Sequence, residues 1–459
     1  MRSVRSNPRA TLTLGQAAAL AATRDVGYAW LFDHLEPAAP VARHPAIRHI
    51  LFYKTFTSVR HRIASPPIQI TMNLRKRYLN IILQAGIAAC LPALASGQSI
   101  FKVVPTPNEN FDSELFAVSA SSPTDIWAVG QSTIHFDGTK WTAFPAPMNP
   151  GNNTSALQGV ADISPTEAWA VGGTNANSTT GVSQLIEHWD GTQWSLFPGP
   201  VFGSTDETYL YGLTAISAND IWAVGDVVNT ANGIQFFLFE HWDGTAWTLT
   251  TATDSDSGFF LGASSDATND VWAVGYSGFL DESSRTLVFR YDGTAWQQVP
   301  SANTGVADQL SAVAAIAPNN VWAVGDYFKA EHTASLTLIE HFDGTAWTVV
   351  PSPNVGPANT NQSNRLFGIT ALSANDIYAF GSYFAANGSG HQMTLVEHWD
   401  GSAWSIIPSP NPSKDGFLSD VLSAGVALSP DTLLIVGSED EAPHTGTLAI
   451  ASTTAGVNH

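Results

Sequence analysis

Cysteine occurs once in the 459 residues, at Cys90, so no intrachain disulfide holds this chain together. Basic side chains are nearly missing from most of it: residues 98–459 hold 7 Lys/Arg against 36 Asp/Glu, a balance of −29. Such a field repels nucleic acid and anionic membrane surfaces, so neither is expected as a partner. The same stretch has no sustained helical period, and no GxSxG, HExxH, P-loop or Cys/His zinc spacing points to a named chemistry. What the chain does have is aromatic rings and repetition.

The first 97 residues are different, with 12 Lys/Arg against 3 Asp/Glu, a balance of +9. From Met72 the text reads MNLRKRYLNIILQAGIAACLPALASGQS: basic Arg75, Lys76 and Arg77, an apolar run, then the small-residue pattern Ala93-Leu94-Ala95. This layout is that of a secretory signal peptide over 72–95. Residues 1–71 then read as a non-native upstream extension or a disordered lead, since a signal peptide belongs at an N-terminus. Ile87-Ala88-Ala89-Cys90 also matches a lipobox, which keeps a lipid anchor at Cys90, and an outer-membrane lipoprotein, as the alternative to a secreted or periplasmic protein.

Two half-motifs alternate after residue 110. One reads DIWAVG (125–130), EAWAVG (167–172), DIWAVG (220–225), DVWAVG (270–275), NVWAVG (320–325) and DIYAFG (376–381), with a worn seventh copy, DTLLIVG (431–437). The other reads HFDGTKW (135–141), EHWDGTQW (187–194), EHWDGTAW (240–247), YDGTAW (291–296), EHFDGTAW (340–347) and EHWDGSAW (397–404). A period of roughly 50 residues signals a propeller or a solenoid. Each unit parses into four short strands. Asp-Gly is expected to make a two-residue type I′ hairpin turn between the third and fourth, and Pro-Ser-Pro-Asn ends the fourth.

The seventh copy stops before any DGTxW or PSPN, and the missing piece stands at the front: Phe101-Lys102-Val103-Val104-Pro105-Thr106-Pro107-Asn108 matches Trp404 to Asn411. The expected fold is therefore all-β, a seven-bladed β-propeller of four-stranded blades over 98–459. The blades fall at about 111–148, 155–200, 209–250, 259–301, 309–354, 365–411 and 417–455, with 98–108 as the N-terminal strand that closes the last blade.

Ala170-Val171-Gly172-Gly173, followed by an aromatic-Asp pair and a Trp, looks like the kelch pattern, and the chain resembles secreted bacterial kelch-like β-propellers with WAVG and WDGTxW signatures. Most copies here carry one glycine rather than two. The resemblance implies a fold and an export route, and a fold alone does not imply a function.

The copies also test the reactive-looking Glu-His-Trp-Asp string. At the Glu position stand Ile134, Glu187, Glu240, Phe289, Glu340 and Glu397, and at the His position Arg290 replaces a histidine once. An acid/base pair or a metal site tolerates neither change, so the string reads as structural. All 14 Trp residues after position 98 also sit at repeat positions. Function is therefore expected in the non-repeating loops, on the face where second-to-third-strand loops and blade connections meet.

That face carries Tyr276, Arg285, Tyr327, Lys329, His332, Arg365, Tyr383 and His391 over blades four to six, with Lys414 at the entry to blade seven. These are the candidate ligand-binding residues. Asp254 and Asp256, at alternate positions before Gly258, are a weak calcium candidate; no other metal or cofactor is expected. The first functional reading is a non-catalytic propeller binding a glycan or another extracellular or envelope polymer. A lyase is the second, with His332 or His391 and Tyr327 or Tyr383 as acid and base, and Arg285, Lys329 or Arg365 neutralising a uronate. A protein-interaction or surface-assembly module is the third. Mass spectrometry of the exported protein is expected to find Ser96 as the first residue; an acylated Cys90 in that position would establish the lipoprotein alternative instead.

Overall fold

The computed structural model describes residues 100–108, 113–145, 155–175, 182–250, 258–278, 284–329, 334–356, 362–384, 391–413, 419–441 and 444–452. The signal-peptide segment, Cys90, Asp254, Asp256, His332 and Lys414 lie outside them. The described residues contain 28 strands and no helix, grouped in seven four-stranded antiparallel sheets. Blade 3 shows the pattern: Asp206–Ser217 innermost, then Asp220–Asn229, Ile234–Trp242 and the short outer Trp247–Leu249. Each innermost strand packs against those of the blades before and after it, and the last of them, Asp420–Ser429, packs against the first, Leu115–Ser122. The ring is thus a closed seven-bladed propeller.

Closure uses the front of the chain. Phe101–Val103 is the outer strand of blade 7, paired with the end of His444–Ser452 through Phe101↔Ser452 and Val103↔Ile450. The Pro-Ser-Pro-Asn tail, which reads Pro-Ser-Ala-Asn in blade 4, has a local purpose that explains its recurrence. In blades 4, 5 and 6 the Asn side chain (Asn303, Asn354, Asn411) accepts a bond of 2.7–3.0 Å from a third-strand threonine N–H (Thr286, Thr337, Thr394). Asn108 does the same for Thr447 at 2.7 Å, across 339 residues of chain. A strand end that the ladder leaves unpaired is thereby satisfied by a side chain.

Seven hydrophobic clusters make up the core, one at each seam between blades. The Trp of each WAVG is buried at a seam and meets two rings of the following blade. Trp127, Trp169, Trp222, Trp272 and Trp322 lie 4.5–5.0 Å from Trp189, Trp242, Tyr291, Phe342 and Trp399, the rings before Asp-Gly. The tryptophans after Asp-Gly (Trp194, Trp247, Trp296, Trp347, Trp404) close the other side, at 5.0–5.6 Å. The last two seams are worn in the structure as in the sequence: Tyr378 meets Phe101, and Leu434 packs in a cluster with Phe136 and Trp141.

The WAVG glycine is required by the same geometry. In all seven blades the inner strand has a register shift opposite it, as between Leu210 and Gly212 facing Gly225. A Cβ at Gly130, Gly172, Gly225, Gly275, Gly325, Gly381 or Gly437 would run into the carbonyl oxygen of the inner-strand residue beside the bulge. Asp-Gly departs from the expected two-residue turn. Trp242 pairs with Trp247, so the loop is the four residues Asp243-Gly244-Thr245-Ala246. Gly244 has φ 88°, and Asp243 Oδ1 accepts bonds from the N–H of Thr245 and of Ala246 and from the Thr245 hydroxyl. The aspartate is kept because its carboxylate replaces the missing cross-strand partners.

Removing the closure bond tests this account. Asn108→Ala is expected to lower stability by about 1–3 kcal/mol in urea unfolding, because it leaves a part-buried N–H unpaired. Amide exchange should quicken first in residues 444–452, the strand it holds.

Candidate functional site

The Glu-His-Trp-Asp string resolves into two packing roles. Its histidine lies on the WAVG ring of its own blade: His135, His188, His241 and His341 are 4.2–4.4 Å from Trp127, Trp169, Trp222 and Trp322. Its Nε2 meets the residue that opens the second strand, Asp125 at 2.7 Å, Glu167 at 3.1 Å, Asp220 at 2.8 Å and Asn320 at 2.8 Å. His398 repeats this with Tyr378 and Asp376. In blade 4, Arg290 performs both tasks at once, bonding Asp270 with Nε at 2.6 Å and Nη2 at 2.9 Å while its guanidinium lies 5.0 Å from the Trp272 ring. That is why arginine substitutes for histidine there.

The glutamates face the opposite seam. Glu187, Glu240, Glu340 and Glu397 are wholly buried, and burial pushes their carboxyls up to about 8, 8, 7 and 8. Phe289 and Ile134 hold the same position in blades 4 and 1 without disturbing the fold, so an uncharged occupant suffices. At neutral pH Glu187, Glu240 and Glu397 are largely protonated fillers of an apolar seam, whereas Glu340 accepts from the Ser301 hydroxyl and the Ala302 N–H.

The non-repeating groups lie at the other end of the inner strands, in the residues flanking the WAVG glycine. Tyr276 is buried and stacked on Phe259 at 4.9 Å and 24°. Arg285 donates to the carbonyls of Ser284 and Val306, both at 2.9 Å. Tyr327 is half-buried against the seam of blades 4 and 5, and Lys329 Nζ lies 5.9 Å from its ring. Tyr383 is half-buried against the seam of blades 5 and 6, where burial raises its hydroxyl pKa.

Arg365 is buried, with Nε 3.8 Å from Asp326 Oδ2 and 3.3 Å from Ser335 Oγ; Asp326 is in turn hydrogen-bonded by Gln309. His391 is partly buried just before the third strand of blade 6. Among the described residues, Tyr327 and Lys329 are brought together, whereas no ring contact joins Tyr276, Tyr327 and Tyr383.

A tighter cluster sits one blade earlier and escaped the sequence reading. Tyr209 and Tyr211, on the inner strand of blade 3, stack at 5.5 Å and 17°. Tyr209 is the register partner of Asp226, which is 4% exposed and accepts a 3.2 Å bond from Gln235. Burial raises the Asp226 carboxyl to about 7, and the hydroxyls of Tyr209, Tyr211 and Tyr276 are all pushed above 10 by burial and by the charge of Asp226. Only this copy has tyrosine at both aromatic positions of Tyr-Leu-Tyr-Gly (209–212), whereas Phe259, Phe116 and Phe367 each fill one of them in other copies, and that doubling was the available signal. It also accounts for Gly173, the second glycine of the kelch-like pair: a Cβ there would strike the Tyr209 ring.

The central channel offers a concavity of about 350 Å³ nearer the turns between first and second strands. Its walls are small and neutral (Ala314, Ala315, Ala371, Gly425, Ala427), with Ser264 and Thr370 as polar members. Both of these are engaged across blades, Ser264 with the Ala315 N–H at 3.0 Å and Thr370 with the Gly425 carbonyl at 2.8 Å.

No family model and no curated protein matches the sequence. Solved structures with a similar fold include YCF48 bound to a D1 peptide, at 12% identity, covering 78% of this chain and 98% of that one with a TM-score of 0.48. The WD40 β-propeller domain of Doa1 is similar at 12% identity, with 77% and 97% covered and a TM-score of 0.48. A fucose-specific lectin from Aleuria aurantia is similar at 16% identity, with 67% and 100% covered and a TM-score of 0.37. Likenesses this distant concern the fold alone.

The glutamates predict an unusual pH dependence. Their folded pKa values exceed the ordinary 4.5, so folding retains protons that the unfolded chain gives up. The contribution is complete below about pH 4.5 and is lost as pH rises towards 8. Urea unfolding is expected to show a lower midpoint at pH 8 than at pH 5. Glu240→Gln should flatten the loss by up to about 1.4 kcal/mol per pH unit. The exposed turn carboxylates act in another window, since Asp137, Asp190, Asp243 and Asp400 are held down to about 2 by their loop donors and lose that support only in acid.

Proposed function

We propose that this chain is an exported, kelch-like propeller that binds a glycan or another extracellular or envelope polymer without catalysing its cleavage. The observation that carries the reading is the aromatic group formed by the inner strand of blade 3 and the first two strands of blade 4: the stacked pairs Tyr209–Tyr211 and Phe259–Tyr276. Tyr209 and Tyr211 remain partly accessible, offering apolar ring faces with neutral hydroxyls, the combination by which concave sites hold sugars. Every described tryptophan, by contrast, serves a blade seam.

The lyase reading asks Arg285, Lys329 or Arg365 to neutralise a uronate; Arg285 is already engaged by backbone carbonyls and Arg365 by Asp326, which leaves that task to Lys329, beside the Tyr327 ring. A protein partner remains compatible with the same face. The processed protein is then secreted or periplasmic, with a lipid anchor at Cys90 as the variant form.

A panel of neutral and uronic polysaccharides decides between these readings. Retention of the protein by at least one polymer is expected, with no ultraviolet-absorbing unsaturated product. Tyr211→Ala should weaken retention by tenfold or more at unchanged thermal midpoint. Accumulation of product that His391→Ala abolishes would replace this reading with the lyase, and the absence of retention across the panel would leave the interaction module.

A further inference from the structure

Two aspartates occupy the same repeat position, directly after the WAVG glycine, and differ in one respect. Asp326, in blade 5, is paired with Arg365, which enters from the inner strand of blade 6. Asp226, in blade 3, has Phe259 at the place that corresponds to Arg365, on the inner strand of blade 4. Gln235 donates to Asp226 Oδ2, while Oδ1 accepts no hydrogen bond from a described residue. No ion pair reaches Asp226 among the described residues, although it is as deeply buried as its counterpart. A buried carboxyl left half-satisfied is costly, and the repeat shows what satisfies it elsewhere: a planar cation from the next blade.

The surroundings of Asp226 suit a cation of a different shape. Tyr209 stands across the ladder from it, Tyr211 stacks on Tyr209, and Phe237 faces it from the third strand. Tyr276 belongs to the next blade, stacked on Phe259. Because Phe259 holds the place from which Arg365 reaches Asp326, the Phe259–Tyr276 pair stands on the next blade's side of Asp226, and the Tyr209–Tyr211 pair stands on its own blade's inner strand. Ring faces attract an ammonium through the quadrupole, most strongly where water is excluded.

The geometry points to a site for an organic ammonium group, held by Asp226 through charge and by Tyr209, Tyr211 and Tyr276 through cation–π contact. This rests on the glycan reading and narrows it: the ligand is a polymer of amino sugars with free amines. The strongly acidic propeller favours such a polycation over neutral or uronic chains through its long-range field.

The test compares chitosan hexamer with its fully N-acetylated counterpart, which has the same rings and no charge, by calorimetry on the full chain at low salt. The free-amine hexamer is expected to bind at least tenfold more tightly, and tetramethylammonium to compete with it. Asp226→Asn should bring its affinity down to that of the acetylated hexamer. Phe259→Arg supplies the guanidinium that blade 6 supplies, and should abolish amine binding while preserving or raising the thermal midpoint; it keeps the test decisive where Asp226→Asn unfolds. Equal binding of both hexamers, unchanged in the variants, overturns the ammonium site and leaves the glycan reading intact. Failure of either hexamer to bind overturns the ammonium site as well, and the polysaccharide panel then judges the glycan reading separately.

Discussion

One contact organises this molecule: the buried second-strand tryptophan of five blades, wedged between two rings of the next blade. A four-stranded sheet cannot cover both of its own faces, so each blade is stable only against its neighbours. A buried Trp contributes roughly 1.5–3 kcal/mol or more by area and ring contact. Five such tryptophans, with Tyr378 and Leu434 in the remaining two seams, therefore hold the ring far more than hydrogen bonds between blades do. The other invariants follow from this wedge. The histidine or Arg290 covers the exposed side of the ring, the opening acid orients that group, and the glycine lets the inner strand bulge past the wedge.

A repeat this demanding leaves little room for chemistry inside it. The Glu-His-Trp-Asp string has the composition of an active site and the environment of a core, with its glutamates neutralised by burial and its histidines stacked and bonded. The freedom lies one residue beyond the glycine, where the core ends. There the copies diverge into Gly173, Asp226, Tyr276, Asp326 and Ser382, and neighbouring inner strands supply the complementary Tyr209, Phe259 and Arg365. Each seam thus carries its own pair, and the pair at blades 3 and 4 is the one that an external cation completes.

How much of this could be read in the chain depended on whether a feature recurs. The number of blades, the order of strands and the closing N-terminal strand were legible because seven imperfect copies expose the same periods, and because Phe101 to Asn108 matches Trp404 to Asn411. The four-residue loop after Trp242 was not, since Asp-Gly alone suits a shorter turn and only the Trp242↔Trp247 register shows the extra two residues. Among candidate site residues, Arg365 has the sequence signature of a free loop cation but lies at the start of a strand and meets Asp326 across a seam. Tyr209 and Tyr211 lie beside a bulge, and only that bulge and the contact with Gly173 place their rings.

The sequence by itself determined which rings are buried and how many blades they make, because burial at a seam forces the same residue types at the same spacing in every copy. Tertiary structure alone decided which of the variable residues meet. Those contacts run between blades about 50 residues apart in the chain, as Asp162 Oδ2 accepting from the Ser121 N–H does across 41. No local period records them, since each seam joins two different copies and is formed only when the ring closes.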